Sequence, residues 1–375
     1  MLFQPSDAII ILKMRIKNIS IENFRNIKEL NLEFDDVNII WGENAQGKTN
    51  LIEAIYLFTG LKSFRGAKDN QLIMMGEEQS RLKLDFEGSG REQYAEIDIK
   101  NKRVASLNGV KKKSTTSLSD EIKAVIFSPV HLNMIKDGPS ERRKFIDGAL
   151  CQIKSNYRNL LKEYNRCLNQ RNILLKDLKN NPELDSLLYI WNKNLAISGA
   201  KIVYQRLKYI EALSPYVKDI FSGISSGNEE IELKYQSFEE FPADIDFIEK
   251  KLLRAFENNK YHDMMNKATS SGPHRDDIEI LINGMSARIY GSQGQQRSCV
   301  LALKLAEASL LEQITKKEPI ALLDDVMSEL DEKRQDYILN HIKNRQVFIT
   351  CCDKETILRL KKGKTFHIEK GKLID

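Results

Sequence analysis

The chain has 375 residues, which is enough for two domains or for one large domain with an insertion. Hydrophobic residues make up 41% and charged residues 30% of the sequence, as is typical of a soluble globular protein. The formal net charge of +5 permits a polyanionic partner but does not require one. No apolar run approaches the roughly 18 residues that a membrane-spanning helix needs, so we expect no membrane association.

The five cysteines show no spacing that is typical of a metal site. Their odd number and their spacing indicate a reducing, cytoplasmic environment. The adjacent residues Cys351 and Cys352 are expected to be buried in a strand rather than to form a redox site.

The first elements form a strand, loop and helix. Residues 1–13 precede any regular pattern, and we treat them as an N-terminal extension outside the fold. Apolar and polar side chains alternate over residues 14–34, as in half-buried strands. Residues 37–41 (VNIIW) form a short apolar run, which predicts a buried strand. Helical spacing of apolar residues follows Lys48 and ends at Gly60.

The middle of the chain changes from strands to helices. Residues 80–110 alternate around turn-rich segments and predict antiparallel strands, and residues 124–129 predict another apolar strand. From residue 140 to about 216 the sequence is charged and has helical spacing, but Pro182 interrupts its heptad-like pattern. We therefore predict a helical hairpin or bundle rather than a long coiled coil.

The last part of the chain returns to strands and helices. Residues 222–246 are polar and turn-rich, and a further helix follows them. Helices are predicted from about residue 295 to 316 and after Leu330. Apolar strands are predicted over residues 320–325 and 346–352.

A glycine-rich segment separates the strand at 37–41 from the helix that follows it. Residues 42–49 (GENAQGKT) match the pattern G-x-x-x-x-G-K-[ST], in which glycines let backbone N–H groups face phosphate oxygens. The lysine reaches the β- and γ-phosphates, and the threonine hydroxyl can bind Mg²⁺. A chance match in a glycine turn is the alternative, but the flanking strand and helix favour a nucleotide site. We expect nucleotide contacts from Gly42, Glu43, Asn44, Ala45, Gln46, Gly47, Lys48, Thr49 and Asn50.

Two acidic residues follow an apolar strand, as the second half of such a site requires. Residues 320–323 are apolar, and Asp324 and Asp325 come directly after them. We expect Asp324 to join Thr49 in holding Mg²⁺. We expect Asp325 to orient or deprotonate the attacking water, with Lys48 as the second catalytic residue. The alternative is an ordinary strand end, because Asp is common in turns.

A serine–glycine segment and a second acidic motif complete the pattern. Residues 291–296 (GSQGQQ) lead into a helix that Ser292 can cap, and residues 328–331 (SELD) follow the two acids. This order of motifs resembles the ATP-binding-cassette (ABC) ATPases. The resemblance implies that two chains sandwich two ATP molecules, each chain covering the γ-phosphate held by the other. It adds four expected nucleotide contacts: Ser292, Gly294, Gln295 and Asp331.

Other motifs resemble the RecF family of bacterial recombination mediators, in the chromosome-maintenance branch of these ATPases. Four segments carry the resemblance: residues 24–26 (FRN), 136–147 (KDGPSERRKFID), 271–277 (SGPHRDD) and 324–331 (DDVMSELD). The resemblance runs from about residue 14 to the end. It implies an α/β fold: an ABC-type P-loop ATPase head (mixed α/β lobe I) with an inserted, mostly helical lobe II or short arm. We expect the head to comprise residues 14–145 and 268–375, and the helical lobe residues 146–267.

The resemblance also implies an ATP-dependent DNA-binding protein of recombinational repair and replication-fork maintenance. ATP would drive head-to-head homodimerisation on double-stranded or gapped DNA near single-strand/double-strand junctions, without sequence specificity. Slow, DNA-stimulated hydrolysis would release the dimer, which would help to load recombinase together with a RecR-like mediator.

The sequence departs from the general ABC pattern at three places. Asp325 stands where Glu is usual, and its shorter side chain favours slow hydrolysis. The strand that ends at Thr350 is not followed by the usual histidine. Gln71 is the candidate for the glutamine that couples the metal to the arm.

Clustered basic residues are candidates for contacts to DNA phosphates. The clusters are Lys111, Lys112 and Lys113; Arg142 and Arg143; and Arg359 to Lys364. Each can contact phosphates without reading base sequence, although a solvated basic face is an equal alternative. His274 and Arg275 are expected to support the active site or the arm rather than to bind metal.

Two other functions share part of this pattern. An ABC subunit of a membrane transporter would carry the same motifs, but the FRN strand, the helical arm and the missing histidine disfavour it. A scaffold that binds ATP without hydrolysing it is the other alternative.

Overall fold

The computed structural model of the chain describes residues 11–178, 181–352 and 363–374. The chain forms two compact units. The first unit comprises the described residues up to Met134, Tyr216–Glu230, and the described residues from Ser292 onward. The second unit comprises Ile135–Pro215 and Ile231–Gly291. None of the helices in the described ranges is long and apolar enough to cross a membrane.

Strands and helices alternate along the chain. The described residues form fifteen strands: β1 (Arg15–Phe24), β2 (Ile27–Glu33), β3 (Val37–Trp41), β4 (Ser80–Gly88), β5 (Arg91–Ile99), β6 (Arg103–Leu107), β7 (Val110–Lys111), β8 (Ala124–Phe127), β9 (Ile231–Gln236), β10 (Asp277–Ile282), β11 (Met285–Ser286), β12 (Ile320–Leu323), β13 (Val347–Cys351), β14 (Lys364–Glu369) and β15 (Lys372–Ile374). They also form ten helices: α1 (Lys48–Leu57), α2 (Pro129–Leu132), α3 (Pro139–Ile153), α4 (Tyr157–Asp177), α5 (Asp185–Ser225), α6 (Ile245–Asn258), α7 (Lys260–Asn266), α8 (Ala287–Tyr290), α9 (Gln293–Thr315) and α10 (Glu332–Ile342).

The first unit contains a six-stranded antiparallel sheet in the order β2-β1-β4-β5-β6-β7. Its register pairs Ile19 with Leu84 and Ile21 with Leu82, and all four side chains are buried. Because side chains alternate between the two faces of a strand, this register places the apolar residues of neighbouring strands on one face.

The second sheet of this unit has the order β15-β14-β3-β13-β12-β8. All of its strands except β15 run parallel. Every residue of β8, β12 and β13 is buried, as is typical of strands covered on both faces. The carboxyl ends of parallel strands meet at one edge of a sheet, and β13 lies between β3 and β12. The segments that follow these three strands are therefore neighbours.

The second unit is mostly helical and carries a three-stranded antiparallel sheet in the order β11-β10-β9. Its core includes a fully buried charged residue, Arg171 on α4, which is paired with Asp263 at 2.7 Å. Arg171 also donates to Asn192 Oδ1 on α5 at 2.6 Å. Nearby along these helices, Leu175 and Leu188 pack in an apolar cluster. A buried guanidinium with its hydrogen bonds satisfied fixes the pairing of α4 with α5.

The α/β head with a helical insertion is confirmed by this architecture, but strands β9, β14 and β15 escaped sequence analysis. Strand β9 lies within residues 222–246, which were predicted to be turn-rich. It pairs with β10, and only Ile231 of its six residues is fully buried. Because so few side chains of β9 are buried, its sequence lacks the clear alternation of apolar and polar residues that predicts a strand.

The boundaries of the units differ from the predicted ones. The second unit starts at Ile135 rather than at residue 146 and extends to Gly291 rather than to residue 267, and residues 216–230 belong to the first unit. The reason is that α3 packs against β10 within the second unit. At the N-terminus, Leu12 pairs with the 316–318 segment through two backbone hydrogen bonds of 2.9 and 3.1 Å. Of the predicted extension, residues 11–13 therefore adjoin the first unit, and residues 1–10 lie outside the described ranges.

Candidate functional site

The loop between β3 and α1 contains two glycines that no other residue can replace without strain. Gly42 and Gly47 have φ angles of +150° and +115°. A Cβ on Gly42 would lie 2.3 Å from the carbonyl oxygen of Ile368, and one on Gly47 would lie 2.9 Å from Asn26 Oδ1. The glycines let the loop curl tightly against its neighbours, as a phosphate-binding loop requires.

Lys48 begins α1 and turns its ammonium back onto this loop. The side chain is buried and donates to the carbonyl oxygens of Gly42 at 2.7 Å and Glu43 at 2.9 Å. The Cys352 thiol lies 3.4 Å from Lys48 Nζ and donates to Asn44 Oδ1 at 3.0 Å. Only Cys351 of the two adjacent cysteines is buried, so the expectation of a buried pair was wrong for Cys352. It follows the last residue of β13, where the chain leaves the sheet beside the loop.

The hairpin of β14 and β15 holds the loop from another side. The backbone N–H of Lys370 donates to Gln46 Oε1 at 2.7 Å, and the N–H of Gly371 donates to the Gln46 carbonyl at 2.8 Å. Gln46 is therefore fixed by two hydrogen bonds to a single turn.

The predicted carboxylates meet the loop at its helical end. The Thr49 hydroxyl donates to Asp324 Oδ1 at 2.8 Å. Thr350 Oγ1 lies 3.1 Å from the same oxygen and 3.3 Å from Asp325 Oδ1, and it accepts from the Asp325 N–H at 2.8 Å. Burial raises the pKa of Asp324 to about 6, although the hydrogen bonds from Thr49 and Thr350 oppose this rise. The uncharged Thr350 thus holds both acids in place, a role that the sequence did not reveal.

Asp325 has an uncommon backbone conformation for a residue with a side chain. Its φ of +49° lies in the left-handed region, which costs a non-glycine residue about 1–2 kcal/mol. The Ser328 hydroxyl donates to the Asp325 carbonyl at 2.9 Å and supports this turn. Strained residues of this kind are common at functional sites.

These side chains fit a nucleoside triphosphate with Mg²⁺. Thr49 Oγ1 and the Asp324 carboxylate are hard oxygen ligands of the type that Mg²⁺ prefers. They stand beside a glycine-shaped loop and a buried lysine, the donors that recognise phosphate. The arrangement can bind a phosphorylated ligand and place the Asp325 carboxylate close to it.

A second layer of polar residues backs the loop behind α1. Arg25 donates to both carboxylate oxygens of Glu53, at 3.0 and 2.9 Å, and Glu53 is fully buried. Asn50 Nδ2 donates to Asn26 Oδ1 at 2.7 Å, and Arg65 donates to Asn50 Oδ1 at 2.8 Å. Arg25 and Asn26 of the FRN motif thus hold α1 in place through hydrogen bonds to Glu53 and Asn50. Arg65 places a partly exposed positive charge beside α1. Sequence analysis missed Arg65, which no motif marked.

The S-x-G-Q segment forms the capped start of α9. Gln295 N–H donates to Ser292 Oγ at 3.2 Å, and Ser292 N–H donates to Gln295 Oε1 at 2.8 Å, which completes a capping box. Gln295 also donates to Glu229 at 2.5 Å. The predicted cap is confirmed. Within the described part of the chain, no hydrogen bond of Ser292 or Gln295 reaches the phosphate loop.

Asp331 caps α10 and connects it to α9. Its carboxylate accepts from the N–H of Arg334 at 3.0 Å and also pairs with that guanidinium. Arg334 in turn donates to the carbonyl of Gly294 at 3.1 Å and to Ser298 Oγ at 2.9 Å. One arginine therefore joins the two motifs, S-x-G-Q and S-x-L-D, that sequence analysis assigned to the partner-facing side.

Two other candidates take structural roles. Gln71 Oε1 accepts from the Lys68 N–H at 2.8 Å in a local cap, and no described contact brings it to Thr49 or Asp324. His274 lies in the second unit, where it contacts the Tyr164 hydroxyl at 2.7 Å and the Thr269 carbonyl at 3.0 Å. His274 therefore supports the helical arm.

The basic candidates for DNA contact fall into two groups. Lys111 and Lys113 are exposed, and Lys112 is half-buried, at the β7 edge of the antiparallel sheet. Arg142 is only 3% exposed and forms a two-bond ion pair with Asp277, at 2.7 and 2.9 Å. Its expected role in DNA binding was therefore wrong, because the guanidinium holds α3 against β10.

Arg143 is also engaged within the second unit. It is half-buried and donates to the Asp276 carbonyl at 2.6 Å. In the third basic cluster, Arg359, Lys361 and Lys362 lie outside the described residues.

Comparison with known proteins places these features in a family. The family model described as the RecF/RecN/SMC N terminal domain matches residues 15–372. A curated protein of Agathobacter rectalis, named DNA replication and repair protein RecF, is 40% identical over 365 residues, which cover 96% of this chain and 99% of that protein. A Clostridium perfringens protein of the same name is also 40% identical, with the same coverage.

Solved structures agree with this result. The structure described as the recombination mediator protein RecF-ATP in the RecFOR pathway is 39% identical, covers 96% of this chain and 97% of its own, and has a TM-score of 0.88. The corresponding structure described as RecF-ATPrS has a TM-score of 0.90 with the same identity and coverage. An Smc head domain from Pyrococcus furiosus, at 16% identity and a TM-score of 0.53, covers 96% of each chain and shares only the fold. The chain belongs to the RecF family, within the RecF, RecN and SMC group of ABC-type ATPase heads.

Proposed function

We propose that this chain is an ATP-binding protein of DNA replication and repair that acts as a nucleotide-controlled clamp on DNA. The names of its relatives, which include RecF-ATP, support both the nucleotide and the process. The single observation that carries the proposal is the hydrogen bond between Thr49 and Asp324, 275 residues apart in sequence. This hydrogen bond brings the phosphate loop and the acidic residues that follow β12 into one site.

ATP is the proposed ligand of the loop. Lys48 and the loop N–H groups would face the β- and γ-phosphates, and Thr49 with Asp324 would hold Mg²⁺. Bound Mg²⁺ would neutralise charge on the triphosphate. Asp325 would orient the attacking water and accept its proton, while Thr350 keeps both carboxylates in position. The short Asp325 side chain supports slow turnover, stimulated by DNA, rather than rapid hydrolysis.

ATP binding would drive head-to-head dimerisation. Ser292, Gly294, Gln295 and Asp331 have no described contact with the phosphate loop of their own chain, which supports their action on the γ-phosphate of a second copy. Each composite site would then need both chains, and hydrolysis would separate them.

The dimer would bind double-stranded or gapped DNA near junctions with single strands and would help to load recombinase there, with a RecR-like partner. Lys111, Lys112 and Lys113 are the candidate phosphate contacts, and such contacts carry no base specificity.

Light scattering of the purified chain tests this function. We expect a monomer without nucleotide and a dimer of twice the mass with ATP and Mg²⁺. Adding gapped DNA should increase the fraction of dimer further. A chain that stays monomeric with ATP, Mg²⁺ and gapped DNA would contradict the clamp. ADP is the matched control, because it lacks the γ-phosphate that the second copy would recognise.

A further inference from the structure

An exposed apolar patch lies immediately before Ser292. Met285 in β11 and Ile289 and Tyr290 in α8 are 58%, 64% and 69% exposed. Single exposed apolar residues are normal, but three of them within six residues concentrate apolar surface in one short segment, which we call the patch, and such concentrations mark interaction surfaces. The patch therefore calls for a partner, and its place in the chain indicates which one.

The covalent chain fixes the distance between this patch and the proposed dimer contact. Tyr290 precedes Ser292 by two residues, and consecutive Cα atoms are about 3.8 Å apart. The two Cα atoms are therefore no more than about 7.6 Å apart. A second copy that brings a phosphate to the Ser292 hydroxyl therefore comes close to the backbone of Tyr290.

A cavity of about 720 Å³ opens beside the phosphate loop in the first unit. Its lining is mostly polar and includes Asn50 from α1, the adjacent Arg65 and the charged residues Glu77, Glu78 and Lys100. A short apolar segment of Ile73, Met74 and Met75 also lines it, and Met75 is 98% exposed. An unusually exposed methionine next to a cavity provides an adaptable apolar surface.

The other flanks of the loop are less suited to an apolar patch. The turn at Lys370 and Gly371 already covers Gln46. The flank near Asp324 and Asp325 is acidic, and an apolar side chain there would strip water from carboxylates. Within the cavity, the segment of Ile73, Met74 and Met75 offers apolar surface to the patch.

We propose that in the ATP-bound homodimer Ile289 and Tyr290 of each copy enter this cavity on the other copy and pack against Ile73 and Met75. The inference rests on the proposed function and deepens it by naming the contact beside the nucleotide. In a two-fold dimer the contact occurs twice, once at each composite site. Tyrosine suits this position because its ring packs on methionine while its hydroxyl can reach the polar groups of Asn50 and Arg65.

Cysteine cross-linking tests the contact directly. A chain with Tyr290→Cys and Met75→Cys is treated with a short bis-maleimide reagent, with ATP or with ADP. We expect a covalent dimer with ATP only. The control pair is Met75→Cys with Tyr261→Cys, because Tyr261 is 71% exposed on α7 and has no part in the proposed contact. The wild-type chain gives the background from the exposed native thiol of Cys352. Equal cross-linking of both pairs would overturn the inference.

A charge substitution gives an independent measurement. Tyr290→Asp should weaken ATP-dependent dimerisation at least about tenfold, as expected for a buried aromatic anchor, and leave ATP binding by the monomer unchanged. Tyr290→Phe should keep most of the affinity, and Tyr261→Asp should have no effect.

The outcomes separate this inference from the function on which it rests. If the wild-type chain remains monomeric with ATP, the clamp and the contact both fail. If the wild-type chain and Tyr290→Asp dimerise equally well, only the contact fails.

Discussion

Single residues at the phosphate loop are held by contacts that leave little freedom. Lys48 is only 3% exposed and has backbone carbonyls on one side and the Cys352 thiol on the other. Thr350 Oγ1 lies 3.1 Å from a carboxylate oxygen of Asp324 and 3.3 Å from one of Asp325, so its single proton can be donated to either acid. Such side chains are ordered before any ligand arrives, which reduces the entropy lost on binding.

Replacing Lys48 tests the assignment of the phosphate loop. Lys48→Arg keeps the charge, but a planar guanidinium cannot occupy the same small position between Gly42 and Glu43. We expect ATP turnover to fall by about 100-fold, as is typical when one preorganised donor to a transition state is lost. Steady-state ATPase assays with Lys111→Arg as the control measure this, and unchanged turnover in Lys48→Arg would refute the assigned site.

His274 makes the stability of the second unit sensitive to pH. Burial lowers the pKa of His274 to about 4, from an ordinary value of 6.5. The unfolded chain therefore binds a proton more readily than the folded chain between these values. The contribution of neutral His274 to the free energy of unfolding is fully present above about pH 6.5. It is lost as the pH decreases toward 4, which lowers the free energy of unfolding by up to about 3 kcal/mol.

Urea unfolding at pH 7 and pH 5 checks this prediction. In His274→Asn, the difference in the free energy of unfolding between pH 7 and pH 5 should be smaller than in the wild type. In the control His262→Asn, at an exposed position, the difference should be unchanged. An unchanged difference in His274→Asn would show that other groups cause the pH dependence.

At the scale of elements, buried and half-buried arginines determine which helices and strands are held together. Arg142 ties the first turn of α3 to β10, and Arg334 ties α10 to the start of α9. These links explain why the second unit begins before α3, and they join the S-x-G-Q and S-x-L-D motifs through one side chain. Neither pairing can be read from local patterns, because the partners are 135 and 40 residues apart.

Substituting Arg142 distinguishes a structural arginine from a DNA contact. Arg142→Ala leaves the Asp277 carboxylate without its two-bond partner, which should destabilise the second unit by about 3–5 kcal/mol. Thermal unfolding measures the loss. A variant that unfolds like the wild type but binds DNA more weakly would contradict the structural role.

The exposed lysines give the opposite expectation. Changing Lys111, Lys112 and Lys113 to Ala should leave the melting temperature unchanged and weaken DNA binding. The slope of log K against log salt should decrease by roughly 0.9 for each phosphate of duplex DNA that is no longer neutralised. Fluorescence anisotropy at several salt concentrations measures this slope. An unaltered slope would mean that these three lysines do not contact DNA phosphates.

At the scale of the whole molecule, the proposed sites are shared between two copies. Ser292→Arg should keep ATP binding and lose dimerisation, because a large side chain would replace the hydroxyl that we propose to bind the second copy's γ-phosphate. Nucleotide binding is measured by calorimetry and mass by light scattering. Loss of ATP binding in this variant would argue against action on a second copy.

Mixing two inactive variants sharpens this prediction. In a heterodimer of Ser292→Arg with Lys48→Arg, one composite site carries both substitutions and the other carries neither. If the two variants associated at random, half of the dimers in an equal mixture would be heterodimers, so about a quarter of the wild-type ATPase activity is the upper limit of recovery. The absence of any recovery in mixtures where heterodimers are shown to form would point to sites formed within one chain.

The sequence by itself determined the elements and the phosphate loop. The glycine spacing around Lys48, the apolar run before Asp324 and the serine before α9 are local patterns, and local patterns specify strands, turns and caps. The family resemblance rested on these same segments.

Only the tertiary structure decided which of these segments meet. Strand β13 lies between β3 and β12, and this order places Thr350 and Cys352 beside the loop, although neither residue belongs to a motif. The same is true of Arg142, whose basic neighbours suggested DNA until its pairing with Asp277 buried it. Strand order and long-range ion pairs depend on contacts between distant parts of the chain, and a local sequence pattern contains no information about its distant partners.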